Sequence, residues 1–111
     1  VSDKPAGLTL RQVRHPAVEP GQAFRVVSGT VEVGSIGLQQ GAQQRRFWSW
    51  GIDVFEPVPF PTHGETDSRD QAMADFRAAW ELFAADPLRL ERFFQSRAAI
   101  KERMKLWRPV D

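Results

Sequence analysis

Residues 45–54 read RRFWSWGIDV, and their spacing decides what kind of fold surrounds them. Trp48, Trp50, Ile52 and Val54 alternate with Ser49, Gly51 and Asp53. A period of two puts the four large residues on one face of a β-strand, and aromatic and β-branched side chains suit such a half-buried pleated surface. Helical spacing would drop polar residues into the apolar stripe, so a helix does not fit here. The two tryptophans are therefore expected to face the core. Phe47, Ser49, Gly51 and Phe55 fall on the other side, which the pattern allows to be open or covered by the C-terminal segment.

Upstream, AFRVVSGTVEVGSIGLQQ is rich in Val and Ile and is broken by glycines. It predicts strands over about 24–28 and 31–39, joined by a turn at Ser28-Gly29. Val31 and Val33 have one parity and Ile36 and Leu38 the other, so a bulge at Gly34 or Ser35 is expected to reset the phase. The polar run QQGAQQ (39–44) reads as a hairpin loop leading into a third strand over about 46–55. Residues 1–22 hold three prolines and two glycines and read as a mobile or loosely docked arm, within which GLTLRQV could form one short strand or helical turn. A single domain is expected over 23–108.

Downstream, the Pro-rich connection EPVPFPTHGE ends in a strong helix signal. Ser68 followed by Gln71 has the form of a capping box, and Ala72, Met73, Phe76, Ala79, Trp80 and Phe83 make one apolar stripe at helical spacing. This predicts a helix over about 69–85. Asp86-Pro87 supplies an N-cap and an N1 proline for a second helix over about 87–106, with Leu88, Phe93, Phe94, Ile100, Met104 and Trp107 as a less regular apolar set. The predicted fold class is α+β: a three-stranded antiparallel meander with the capped helix across one face and a second, C-terminal helix.

VGSIG, FWSWGI and GETDSRDQAMADFRAAW together resemble a family of small uncharacterised alphaproteobacterial proteins. The resemblance spans about residues 31–80 and rests on Gly34, Ser35, Ile36, Trp48, Trp50, Ile52, Gly64, Ser68, Ala72, Phe76 and Trp80. It implies a bacterial protein and carries no activity. The strand–strand–strand–helix order is also similar to HicB-like antitoxin domains and to part of the double-stranded-RNA-binding fold. The latter opens with a helix and carries a basic helix start, and neither feature has a counterpart here.

A hydrophobic fraction of 41% and a charged fraction of 26% are those of a folded chain. With no cysteine there is no disulfide, thiolate metal site or cysteine nucleophile, and with no tyrosine a further acid–base group is missing. No apolar run approaches the roughly 20 residues that cross a bilayer, and a cytoplasmic location without membrane partners is expected. His63 near Glu65 and Asp67 has no known ligand spacing and reads as a loop histidine. Ser35, Ser49 and Ser68 lack a base–orienter arrangement, Asp53 and Glu56 lack a recognisable pocket, and GSIG is no phosphate loop. No catalytic, cofactor or metal site is expected.

Charge is divided along the chain. Residues 53–86 carry eight acids against two bases, and residues 89–108 seven bases against two acids. The basic segment could neutralise the acidic helix, or form a patch for phosphates. Arg97, Lys101, Lys105 and Arg108 share a helix face and are the candidate nucleic-acid or anion contacts. Phe47, Phe55, Phe93 and Trp107 are the candidate interaction surface, with Phe94 and Leu106 as further apolar residues on the second helix. The leading expectation is a non-enzymatic interaction or regulatory module that contacts a protein partner or self-associates. The alternative is a nucleic-acid-binding module using the basic helix.

Overall fold

The computed structural model describes residues 7–54 and 56–106, with side chains described as far as Arg103. The elements are β1 (Leu8–Gln12), β2 (Ala23–Ser28), β3 (Val31–Gln40), β4 (Arg46–Ile52), β5 (His63–Thr66), α1 (Arg69–Ala84) and α2 (Pro87–Leu106). The five strands form one antiparallel sheet in sequence order. The α+β class is as expected, with two strands more than the meander predicted. Part of the N-terminal arm is β1, paired along β2 from Leu8 opposite Ser28 to Gln12 opposite Phe24. The proline-rich connection returns as β5, whose four residues pair with β4. Both added strands are short edge strands, four or five residues long, a length at which composition gives little periodic signal.

Register fixes the two faces of the sheet. Trp48, Trp50 and Ile52 stand opposite Leu38, Ile36 and Gly34, and Ile36 and Gly34 stand opposite Phe24 and Val26. Directly opposed residues share a face, so this side gathers the core. Trp50 and Ile52 are buried and Trp48 packs half-buried against the cluster. The expected bulge exists, one residue earlier than the glycine: Val26 faces Gly34 while Val27 faces Glu32, leaving Val33 as the extra residue. That shift turns Val33 and Ile36 to the same side despite their opposite parity, and both are buried. Gly29, first of the two residues between β2 and β3, has φ +63°, the left-handed backbone that a tight hairpin turn needs there.

Helix α1 lies on the core face. Ser68 Oγ accepts from the Gln71 amide at 3.1 Å, as the capping motif predicts, but the Gln71 side chain donates onward to Asp75 at 2.8 Å instead of reaching back. Ala72, Phe76, Ala79, Trp80 and Phe83 are buried, whereas Met73 lies at the edge of the stripe, 38% exposed. Phe76 meets Trp50 edge to face, ring centroids 6.2 Å apart. Its ring rests directly on Gly34: a Cβ there would lie 2.5 Å from Phe76 Cε2 and 2.2 Å from the Gly51 carbonyl oxygen. Gly64 is filled in the same way by the indole of Trp50, whose Nε1 would be 2.7 Å from a Cβ.

The corner into α2 is held by Asp86 and Arg89. Asp86 accepts from the amides of Leu88 and Arg89 at 3.1 and 3.2 Å. Arg89 donates back to the carbonyls of Leu82 and Phe83 and lies over the rings of Phe60 and Phe83, 5.2 and 5.1 Å from their centroids. A cation at these last carbonyls offsets the negative end of α1. Among the described residues no helix is long and apolar enough to cross a membrane.

Gly34→Ala is expected to destabilise the fold by about 1–3 kcal/mol, the range for an overpacked core, because backbone as well as a ring blocks the added methyl. Gly37→Ala, whose nearest atom would be 3.5 Å away, should shift the urea midpoint little. Equal midpoints for the two variants would contradict the close approach of α1 to the sheet.

Candidate interaction surface

Two surfaces meet along α2, and the chemistry of each follows from which side chains that helix turns inward. Adjacent phenylalanines on a helix point about 100° apart, so Phe93 and Phe94 cannot both enter the core. Phe93 is buried and stacks edge-on against Trp80 and Phe83, with centroids 5.8 and 5.4 Å away. This corrects its assignment to an interaction surface. Phe94 is half-buried, one edge toward Trp80 at 6.3 Å, and its other side enters an open groove with Pro87, Leu90, Glu91, Gln95 and Ala98. Leu88 and Leu82 are exposed near the helix corner, at 67% and 54%. The apolar surface of α2 therefore continues outward past the core.

On the other flank of α2, a cleft of about 220 Å³ is lined by Val54, Phe83 and Phe93, with Asp53, Glu56, Arg92, Ser96 and Arg97 among its polar groups. Asp53 lies just past β4 and takes two guanidinium groups on one oxygen: Arg25 at 2.5 Å and Arg97 at 3.5 Å. All three side chains are only 25% exposed. Arg25 also reaches Glu32 at 3.5 Å, and Glu32 pairs with Arg11. A chain of alternating charges thus runs from edge strand β1 through the sheet to α2. Arg92 and Glu56 pair at 3.3 Å but are 59% and 42% exposed, so solvent screens that contact far more.

The expected basic ridge is placed differently at its first member. Arg97 turns toward Asp53 and does not stand free on the surface, because the acidic end of β4 lies within reach of that turn of α2. Lys101 is exposed. Lys105 lies in α2, but its side chain is outside the described residues, as are Arg108, Phe55 and Trp107. Phe47 occupies the sheet face away from α1, as its parity requires. It is half-buried beneath the β3–β4 hairpin, near Gly41, with Arg45 over its ring at 5.9 Å. Thr9, Arg11, Ser35, Gln39 and Glu65 on that face are exposed. His63 is an exposed residue of β5, and among the described residues no three His, Asp or Glu side chains gather as a metal site would require.

The sequence reading did not single out Leu90, Glu91 and Ala98, or the role of Asp53 as an anchor. Leu90, Phe94 and Ala98 recur at four-residue spacing, which is the signal that could have found the groove. The Asp53 anchor joins residues 28 and 44 positions away in sequence and has no local signature. Comparisons with protein families, with curated proteins and with solved structures yield no match.

Asp53→Asn is expected to cost about 1–2 kcal/mol of stability, since two partly buried guanidinium groups lose their charged acceptor. Amide exchange at 97–103 should rise with it. Glu56→Gln should cost less than about 0.5 kcal/mol. If the two variants unfold alike in urea, Asp53 is not the anchor of α2.

Proposed function

We propose that this protein is a non-enzymatic interaction module that docks a protein partner on the outer face of α2. One observation carries the reading: the groove along Pro87, Leu90, Phe94 and Ala98 leaves an aromatic side chain only partly buried, beside the fully anchored Phe93 of the same helix. An apolar strip with a polar rim, here Glu91 and Gln95, is the usual make-up of a helix-mediated contact. The shape of the molecule supports it. A chain of this length in a compact domain has a radius of gyration of about 13 Å, whereas here it is 15.5 Å. Helix α2 contributes to this, since twenty residues span about 30 Å and, among the described residues, its core contacts are Leu90, Phe93 and Phe94 in the first half.

The charge pattern favours a protein over a nucleic acid as the ligand. Arg97 and Arg92 both pair with acids of this chain, so a phosphate backbone would have to compete with carboxylates already in place. A groove bordered by Glu91 also repels phosphate.

A photoreactive amino acid placed at Gln95, in the groove, is expected to form discrete protein adducts in living bacterial cells. The same group at Asp70, on the exposed start of α1, should form none. Introducing Ala98→Arg into the Gln95 probe should abolish the adducts without altering the circular dichroism spectrum. Indistinguishable adduct patterns from the two positions, or none from either, would refute a docking role for this face.

A further inference from the structure

We infer that the partner on this face is a second copy of the same chain, paired through α2 in antiparallel orientation. The inference rests on the docking role proposed for the α2 groove and names its occupant. Glu91, Phe94, Ala98 and Lys101 follow one another at spacings of three, four and three, the repeat that keeps a seam on one side of a helix. Glu91, Phe94 and Ala98 line the groove. Lys101 continues their line as an exposed residue of the same helix.

A two-fold axis passing near residue 96 sets Glu91 against Lys101 of the other copy and Phe94 against Ala98, and the reverse contacts follow by symmetry. Each acid then meets a base, and each bulky ring meets a methyl-sized neighbour, so the seam is complementary in both charge and volume. A parallel pair in register would place Glu91 on Glu91, Lys101 on Lys101 and Phe94 on Phe94. Only the antiparallel arrangement relieves the repulsion. Gln95 already donates to Glu91 at 3.3 Å on this side, which holds the carboxylate over the groove.

The apolar part of the seam is short, so the pair belongs with weak, small interfaces, with a dissociation constant on the order of 100 µM. Sedimentation equilibrium of the full chain, from about 10 µM to about 1 mM, a range bracketing that constant, is the test. The wild type is expected to pass from monomer to dimer. Ala98→Arg should remain monomeric throughout, and Glu91→Lys should weaken association at least about tenfold by setting like charges across both ends of the seam. The double variant Glu91→Lys with Lys101→Glu restores the opposed charges and should restore the dimer.

Circular dichroism confirms that each variant is folded. A wild type that stays monomeric at the highest concentration overturns self-pairing, as does a dimer indifferent to Ala98→Arg. A dimer that the double variant fails to recover overturns the antiparallel register. The docking reading fails separately. If the Gln95 photo-probe gives adducts of masses other than twice this chain while the pure protein is monomeric, the face docks a different protein and the inference of a second copy falls alone.

Discussion

The contact between the Phe76 ring and the bare backbone at Gly34 sets the height of helix α1 above the sheet. Any side chain at position 34 would collide with both the ring and the Gly51 carbonyl. With α1 held this low, Trp50 can lie across Gly64 and meet Phe76 edge-on. Trp80 and Phe83, one and two turns further along, then form an aromatic platform, their rings stacked 5.7 Å apart. Phe93 packs on that platform. The position of α2, and with it the side of α2 that remains outside, follows from the absence of a Cβ on one strand residue.

Helix α2 is secured in two places of different character. Near its start, Arg89 ties it to the last carbonyls of α1, and Phe93 fills the core beside it. Further on, Arg97 bonds to Asp53, which Arg25 also holds. The uneven charge of the sequence is thereby partly spent within the molecule: two bases of the C-terminal segment meet acids from the stretch 53–56. The exposed acids of α1 take no part in those two contacts. These two pairings lie at the end of β4 and in the proline-rich connection.

The sheet core and both helices were legible because their signals are local. Alternation through Trp48, Trp50 and Ile52 fixes a face, Ser68 marks a helix start, and the two parities of Val33 and Ile36 imply a bulge. Edge strand β5 was not legible as a strand, and β1 was legible only as a short strand or helical turn, both being short and placed among prolines and glycines whose turn signals dominate. The candidate surface was legible only in outline. Composition drew attention to the aromatic and basic residues of α2, yet no periodicity tells whether Phe93 or Phe94 faces inward. That choice depends on where Trp80 lies, which is a tertiary fact. Arg97 was read as one of a surface row for the same reason, since its partner is 44 residues away.

Because the chain has no cysteine, one introduced thiol carries a single label, and the pairing of α2 with α2 can be measured as a distance. A nitroxide on Gln95→Cys lies close to the inferred two-fold axis, and packed helix axes are about 8–10 Å apart. Antiparallel pairing predicts a dipolar distance below about 20 Å between the two labels, allowing for their tethers across such a helix pair. The same label at Arg103, about two turns from the axis, should give a longer separation. No dipolar coupling from position 95 at a concentration where the protein sediments as a dimer would contradict the assignment of α2 as the contact. A shorter distance from position 103 than from 95 would contradict it equally.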